Sequence, residues 1–575
     1  MKRFPLFALA FFIALPAAPQ APPGATLRSQ SEMVLVPVVV ADKSGKHVSG
    51  LTKDDFAVFE AGKERPLAVF EEVHAQPVAI KPSALAANEF TNQLDAGEVK
   101  RSTILVLDAL NTAFLDQSFA REELLKYLST RVEGSEPMAL LVVDRRGLRV
   151  IHGLTTNPRI LVAALKKLSG TISLEDKWMS ELSVADITER DNEMLGLQSF
   201  VSSIAQVHSS FVQRENISTT LQALQHVSES FAGVPGRKSL IWITAGFPFA
   251  VGGDGALNAE SFDTRGMAAS MPQRIGDTHS GGSIGWQTQA GDRVSQDDLK
   301  PLLPLYQHVM RNLSDAAIAV YPIDARGLIQ FFGNASMSRL AAVVQEERHQ
   351  NAIATMQAFA EATGGKAFYN RNDLAQAIRA AADQSAAYYL LGYYRDRANS
   401  KPGWRKLQVK ARREGLLVTA RSGFFVTPEV GSAEKAAEKE TAKGPQLDMA
   451  AALISPVDYT GLPLTVRFTG RAPGPKQKFG FDLVVPNVAV DEAARNRMTL
   501  DFLCVAASPD GKIADQLAEH TGADLQPDAV ANMRAKGITY SNYFELAPGD
   551  YTLHFIVRDN VAGRVGSLQV PLQVR

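Results

Sequence analysis

The chain has 575 residues, too many for one hydrophobic core, so we expect two to four domains. Its 60 basic and 61 acidic side chains balance, which gives no reason to expect nucleic acid as a partner. The single cysteine, Cys504, excludes an intrachain disulfide and a zinc–thiolate site, and its apolar neighbours predict an inert core residue.

The first 21 residues have the pattern of a signal peptide. Lys2 and Arg3 precede an apolar run, Phe4 to Ala18, that is too short to span a membrane. The alternative is a buried apolar N-terminal helix. Because no later segment approaches about 18 consecutive apolar residues, we expect no transmembrane segment in the mature chain. The protein is therefore predicted to be exported, to the periplasm or beyond the cell.

Residues 30–75 form a small predicted β unit. A strand runs from Met33 to Asp42, and two alternating segments flank Ala61, Gly62, Lys63 and Glu64 in the manner of a hairpin. A unit of about 50 residues makes a poor core by itself. We therefore expect it to pack against another part of the chain.

Residues 100–387 alternate between predicted strands and helices. Helices are expected over roughly 117–131, at 353–362 and in a final helix capped by Asn372 or Asp373. Alternation of this kind predicts an α/β domain, in which a parallel sheet has helices on both faces. The expected strands are STILVLD, MALLVVD, LRVIHG, KSLIWITAG, AAIAVYPID and KAFYN.

An insertion within this domain, residues 251–300, is rich in Gly, Ser and polar residues and is too long for an ordinary connection. We interpret it as either a functional loop or a disordered segment. Gly281 to Gly285 matches the G-x-S-x-G motif of hydrolases, with Ser283 in the nucleophile position. Because that motif requires a preceding strand and a following helix, coincidence in a Gly/Ser-rich stretch explains it better.

Residues 388–427 return to strand patterns, expected either to pack with the N-terminal unit or to extend the domain's sheet. This stretch is basic, and Arg405, Lys406 and Lys410 are candidates for binding an anionic surface polymer or lipid headgroup. Alternation with apolar positions favours an ordinary solvated strand face instead. A charged linker over 428–445 leads to short alternating strands over 446–575, which predict an antiparallel β-sandwich.

Several segments together resemble the von Willebrand factor A-related (VWA) domain family recurrent in exported acidobacterial proteins. They are VSGLTKDDFAVFEAGKERPLAVF, LVLDALNTAF, VPGRKSLIWITAGFP, VYPIDARGL, EATGGKAFYNRNDLAQAI and AAYYLLGYY. The resemblance covers about two thirds of the chain, from Met33 to Phe425. It implies a Rossmann-like α/β VWA domain that serves as a binding module, and implies nothing about the C-terminal sandwich.

The resemblance also implies a divalent metal site at the top of the sheet, in a degenerate form. Asp108 and Thr112 fill two family ligand positions, whereas Leu110 and Ala245 stand where a hydroxyl and a carboxylate are expected. Mg²⁺ or Mn²⁺ is the candidate ion, since hydroxyls and carboxylates suit hard cations. The alternative is that Asp108 caps the next helix or bonds to nearby loops. Further candidate ligands are Ser218, Thr219, Thr220, Asp116 and Asp324.

The predicted function is a non-catalytic binding module that contacts a protein or surface polymer through the carboxyl edge of its sheet. Asn111, Asp116 and Ala245 are candidates for that contact. Two alternatives stay open. One is a structural cell-envelope protein in which the α/β domain spaces two β domains, and the other is a hydrolase acting through Ser283 or an acidic cluster.

Overall fold

The computed structural model describes residues 31–74, 85–86, 88–93, 101–134, 136–168, 195–252, 256–259, 299–328, 339–396, 402–426, 444–472 and 476–575. The proposed signal peptide, Ser283 with its G-x-S-x-G motif and most of the 428–445 linker lie outside these residues. The described strands, in chain order, are β1 (Ser31–Ala41), β2 (Phe56–Glu60), β3 (Lys63–Arg65), β4 (Val69–His74), β5 (Glu89–Thr91), β6 (Arg101–Asp108), β7 (Met138–Asp144), β8 (Gly147–Thr155), β9 (Arg237–Thr244), β10 (Phe249–Val251), β11 (Leu257–Ala259), β12 (Ile318–Asp324), β13 (Ala387–Asp396), β14 (Gly403–Ala411), β15 (Leu417–Thr419), β16 (Gly423–Val426), β17 (Thr465–Ala472), β18 (Gln477–Val485), β19 (Arg497–Ala507), β20 (Ile513–Asp524), β21 (Ile538–Leu546), β22 (Gly549–Asp559) and β23 (Arg564–Val574).

Eight α-helices occur in the part of the chain that the structure describes. They are α1 (Phe114–Ser129), α2 (Pro158–Lys167), α3 (Leu195–Ser230), α4 (Leu303–Asp315), α5 (Arg339–Thr363), α6 (Leu374–Asp383), α7 (Gly444–Ile454) and α8 (Pro527–Lys536). None of the described helices has the length and apolar character needed to cross a membrane. The cap of α6 is Asp373, whose carboxylate accepts a 2.8 Å hydrogen bond from Gln376 N.

The N-terminal unit consists of two four-stranded sheets, ordered β15-β1-β13-β4 and β16-β14-β2-β3. Strand β13 pairs antiparallel with both β1 and β4, so residues 387–396 complete a sheet begun by residues 31–74. Val36, Val58, Tyr389 and Leu391 are fully buried between the two sheets. The β2–β3 hairpin turns at Ala61 and Gly62, both with positive φ, as a two-residue turn requires.

The central unit contains one five-stranded sheet, ordered β12-β9-β6-β7-β8. Strands β12, β9, β6 and β7 pair in parallel, whereas β8 pairs antiparallel with β7. Helices α1, α2 and α6 cover one face, and α3, α4 and α5 cover the other. Near-continuous burial along β6, β9 and β12 follows from this two-sided cover.

The fold class predicted from the sequence is wrong for this chain. Five of the six sheets in the described residues are antiparallel, and the sixth is mixed rather than parallel. Strand β8 reverses because only Arg145 and Arg146 separate it from β7, and a parallel partner would require a crossover connection. The predicted KAFYN strand does not form either. Within this segment, Phe368 makes only an isolated β-bridge with Ile323.

The C-terminal unit is a β-sandwich of two four-stranded antiparallel sheets, β21-β18-β17-β5 and β20-β19-β22-β23. Phe481, Leu500, Phe544 and Phe555 pack in the core between them. Cys504 is buried in this core, and burial raises the pKa of its thiol. Helix α8 was not anticipated from the sequence.

Strand β5 joins the beginning of the chain to the C-terminal sandwich. Glu89–Thr91 pair with β17, although they precede the central unit in sequence. The Asn92 side chain then donates to the carbonyl oxygens of Tyr459 and Leu462, and accepts from Leu464 N at 2.7 Å. The path of the chain therefore fastens the three units to one another.

Candidate functional site

The carboxylate of Asp108, at the end of β6, is buried and surrounded by donors. Its Oδ1 accepts hydrogen bonds from Leu110 N and Asn111 N at 3.1 and 2.9 Å. Its Oδ2 accepts from Trp242 Nε1 at 3.0 Å and from Thr244 Oγ1 at 2.9 Å. Burial raises the pKa of Asp108, whereas these bonds lower it. Asp108 thus bonds to the adjoining loop and to β9, and does not cap α1.

Asn111 lies between Asp108 and the only helix hydroxyl that reaches this group in the described residues. Its Nδ2 is 3.2 and 3.0 Å from the two Asp108 oxygens and 3.1 Å from Thr220 Oγ1. Of the three candidate hydroxyls, the structure therefore brings Thr220 to Asp108. Ser218 Oγ instead accepts a hydrogen bond from Gln222 Nε2, and Thr219 makes no hydrogen bond to Asp108 or Asn111. An amide donor occupies the space between acceptors that a cation would require.

The remaining family positions are also closed. Thr112 Oγ1 accepts from Ala245 N at 3.0 Å, so this hydroxyl holds the loop after β9. Leu110 packs against the central core. Ala245 stands where the resemblance implies a carboxylate in other family members, but the side chains that reach Asp108 from β9 are Trp242 and Thr244.

Asp324, at the end of β12, is occupied by an arginine. Arg326 Nε lies 2.8 Å from Asp324 Oδ1 and Arg326 Nη2 lies 3.0 Å from Oδ2, a bidentate pair. The Asp324 side chain is fully buried. Asp116 lies near this pair: burial raises its pKa and Arg326 lowers it. Asp324 is therefore bonded to Arg326 rather than available to Asp108, and Asp116 is influenced by the charge of Arg326.

These contacts leave little chemistry for a resident metal. The carboxylate oxygens of Asp108 and Asp324 already accept hydrogen bonds from protein donors, whereas hard cations require several free oxygen ligands. Within the described ranges, no group of three or more His, Cys, Asp or Glu side chains is arranged to hold a metal ion. The residues present at this edge do not fit the Mg²⁺ or Mn²⁺ site that the resemblance implies.

The same edge of the sheet exposes apolar side chains. Phe114 and Leu115 begin α1 directly after the Asp108 loop, and Leu328 follows β12; all three are exposed. The two loops adjoin, since a Cβ on Gly327 would lie 3.4 Å from Phe119 Cε1 of α1. We define Phe114, Leu115, Asp116, Arg326 and Leu328 as the sheet-edge surface. The sequence analysis did not identify the apolar residues of this surface. The pair Phe114 and Leu115, in the first turn of a helix, could have indicated them.

The basic candidates lie in another sheet. Arg405, Lys406 and Lys410 are on β14 of the N-terminal unit, where Lys406 and Lys410 are exposed and the intervening Leu407 is buried. The Lys410 ammonium lies 5.3 Å from the Phe59 ring centroid. Nearby basic residues have acidic partners, for Arg412 pairs with Glu64 and Arg413 with Asp55. The structure does not bring this strand together with Asp108.

A larger concavity of about 1170 Å³ lies where the three units meet. We call it the three-unit cleft. Its walls come from β1, β13 and β16 of the N-terminal unit, from α3 and α4 of the central unit, and from α7 and the β22–β23 turn. Arg395 and Arg421, two residues of the basic stretch noted in the sequence, line it. The cleft itself was not predicted, because residues far apart in the chain form it.

Comparisons with known proteins add little. No protein-family model matches the chain, and no curated protein matches it either. Two solved structures of Bacteroides uniformis β-glucuronidase 2, one a calcium-binding mutant and one covalently bound to cyclophellitol-6-carboxylate aziridine, are 14% and 13% identical and both have a TM-score of 0.14. The chain covers 13% and 19% of their lengths, and they cover 19% and 33% of this chain. A third, of Bacteroides uniformis β-glucuronidase, has a TM-score of 0.15 at 13% identity, with 32% of this chain and 19% of that one covered. Similarity at this level does not show a shared fold.

Proposed function

We propose that this exported protein is a non-catalytic binding module whose contact with a protein partner does not depend on a metal ion. The observation that carries the proposal is the position of Asn111, whose amide nitrogen bridges Asp108 and Thr220. A partner carboxylate cannot complete the coordination of an ion that has no place at this edge. Contact must then rely on other side chains of the same edge.

The sheet-edge surface has the composition of a protein-binding surface. Interfaces are enriched in aromatic side chains, Met and Arg, and their energy comes mainly from a few apolar or arginine anchors. Phe114, Leu115 and Leu328 are exposed, although full burial of a large apolar side chain is worth about 1.5–3 kcal/mol. Arg326 is held in one orientation by Asp324, so little side-chain entropy would be lost on binding.

The experiment compares two exposed residues at opposite ends of α1. Leu115 is 79% exposed at the sheet edge, and Val132 is 73% exposed just beyond the other end. A photoreactive amino acid at position 115 should give a discrete crosslinked adduct in the envelope fraction of the source cell, and one at position 132 should not. Excess unlabelled wild-type protein should abolish the adduct, whereas the Leu115→Glu protein should not compete. Equal adducts at both positions, or competition by Leu115→Glu, would reject the sheet-edge surface.

A structural envelope protein is the second candidate, favoured by the fastening of the three units through β5 and Asn92. A spacer has no need of exposed apolar residues at the sheet edge, which is why we place it second. A spacer should give no adduct from position 115. For the hydrolase alternative, Ser283 lies outside the described residues, and nothing in the described part supports it.

A further inference from the structure

The walls of the three-unit cleft contain more positive than negative charge. Arg237, Arg311, Arg395, Arg421 and Arg558 line it, against the carboxylates of Glu32, Asp315 and Asp448. Two arginines have close acidic partners: Arg395 pairs with Glu32, and Arg558 Nε lies 3.0 Å from Asp448 Oδ2. The cleft therefore has an excess of two positive charges in a partly desolvated space, where electrostatic attraction is strong.

Three of these arginines are at least nine-tenths buried and incompletely hydrogen-bonded. Arg237, Arg395 and Arg421 are 3%, 4% and 9% exposed, and each keeps a buried Nε without an acceptor. Their other nitrogens bond to the protein, as Arg237 Nη2 does with Gly364 O at 2.7 Å. A buried cation with unmatched N–H groups costs free energy, which a nearby anion would offset.

Arg395 and Arg421 share one aromatic ring. Each guanidinium carbon lies 5.4 Å from the centroid of Phe424, a cleft residue. Asp315 is the carboxylate that acts on Arg421, but burial in the cleft wall raises the pKa of Asp315. Arg421 thus has a weak counterion, and two cations stand on one side of the cleft with a single firm acidic partner, Glu32.

The opposite character appears at other parts of the wall. Met33 and Leu35 of β1, and Leu447 and Ile454 of α7, are exposed apolar side chains that line the cleft. Pro301, Pro304 and Leu305 lie beside them. Exposed apolar side chains gathered along one concavity are typical of a ligand-binding groove.

We propose that the three-unit cleft binds a small amphiphilic organic anion, with its acidic head against the wall of Arg237, Arg395 and Arg421 and its alkyl chain along Met33, Leu35, Leu447 and Ile454. The class is that of a fatty carboxylate or an alkyl phosphate, which share an anionic head on an apolar chain. This site is separate from the sheet-edge surface and does not depend on it. A volume of about 1170 Å³ exceeds what a single such chain needs.

The probe is a dansyl-labelled undecanoic acid, which is added to the full-length protein. Its fluorescence rises when the dansyl group leaves water. We expect saturable enhancement, with displacement by decanoate but not by decanol or acetate, because both the anionic head and the chain are recognised. Decyl phosphate serves as the second arm: preferential displacement by it assigns a phosphate head, and preference for decanoate assigns a carboxylate. Displacement by decanol as strong as by decanoate would overturn the proposal, as would the absence of any enhancement.

Two matched variants localise the binding. Ile454 is 73% exposed in the cleft, and Ile513 is 54% exposed on β20, which contributes nothing to the cleft. Ile454→Glu adds a repelling charge where the chain should lie, so it should weaken binding by about tenfold or more. Ile513→Glu should leave the affinity unchanged. Arg421→Gln should also weaken the binding of decanoate, and circular dichroism checks that this variant is folded. Equal affinities in Ile454→Glu and Ile513→Glu would place the probe elsewhere and reject the cleft.

Discussion

The imidazole of His226 and the hydroxyl of Tyr459 are hydrogen-bonded across two units of the protein. His226 Nδ1, on α3 of the central unit, lies 2.8 Å from Tyr459 Oη, in the segment that leads into the sandwich. Both side chains are buried. Burial lowers the pKa of His226 to about 4 and raises that of Tyr459. Burial at the contact between the units therefore favours the neutral imidazole.

This pair predicts a loss of stability in acid. A histidine whose folded-state pKa is depressed adds stability above its ordinary pKa of 6.5, and that stability is lost as the pH falls toward about 4. The loss should be on the order of 3 kcal/mol at most. His226→Gln should remove this part of the pH dependence in urea denaturation. His520→Gln, at an exposed position, is the control; a His226→Gln profile parallel to wild type would contradict the assignment.

Asp458 should act in the opposite direction. Burial raises its pKa from 3.8 to about 6, although Gln569 N donates to it at 2.9 Å. Stability from this group is present below pH 3.8 and is lost as the pH rises through about 6. Asp458→Asn should therefore unfold at a higher urea concentration than wild type at neutral pH, because its free energy of unfolding is larger by up to about 3 kcal/mol. Near pH 4 the free energy of unfolding should differ little between the two proteins. A gain independent of pH would show that ionisation of Asp458 is not the cause.

Replacing Asp108 should cost stability without any effect on metal response. Asp108→Ala leaves Trp242 Nε1 in the interior without its acceptor and removes one of the two acceptors near Thr244 Oγ1, the other being Gly246 O, so we expect a loss of about 3 kcal/mol. For the wild type and for the variant, the melting temperature in EDTA should equal that in millimolar Mg²⁺ or Mn²⁺. A rise in the midpoint of the wild type with ion concentration, absent in Asp108→Ala, would mean that an ion displaces Asn111.

The Asp324–Arg326 pair should show strong coupling in a double-mutant cycle. Arg326→Met leaves a buried carboxylate without its bidentate partner, which should cost about 3 kcal/mol. Asp324→Asn in the same protein should restore part of that loss, because the uncompensated charge is removed. The measurement is the free energy of unfolding of the four proteins. Additive single effects would mean that the two side chains do not stabilise each other.

A single methyl group at Gly233 should disturb the contact between the central unit and the sandwich. A Cβ there would lie 2.3 Å from the carbonyl oxygen of Thr460, whose Oγ1 accepts from Gly233 N at 2.8 Å. Gly233→Ala should lower the melting temperature by several degrees, as a loss of about 2 kcal/mol implies. Gly153→Ala is the control, since nothing lies within 4 Å of its Cβ position.

Local patterns predicted elements better than they predicted how elements combine. The apolar run that ends at Asp108 forms a buried strand, as a strand covered on two faces should. The reversal at Arg145 and Arg146 was missed, although a two-residue link excludes a crossover and is visible in the sequence. The sequence also does not reveal that Glu89 to Thr91 pair with Thr465 to Arg467, because strand pairing depends on tertiary context.

The candidate site was predictable only in its polar frame. Asp108, Thr112 and Thr220 were singled out as ligand positions that the resemblance to the VWA family implied, and Asn111 as a candidate for the contact with a partner. That the Asn111 amide would lie between two acceptors depends on side-chain geometry, which spacing along the chain does not encode. The three-unit cleft requires knowledge of how three cores meet, so no local pattern announces it.

The placement of β5 constrains the order in which the parts of this chain can fold. Strands β1 and β4 must wait for β13, β2 must wait for β14, and Glu89–Thr91 must wait for β17. Every strand of the central sheet, by contrast, belongs to one continuous stretch. The central unit should therefore fold first, and the strands outside it stay unpaired until their distant partners are in place. A truncation at residue 427 would leave β5 without its partner and expose a strand edge, which favours aggregation.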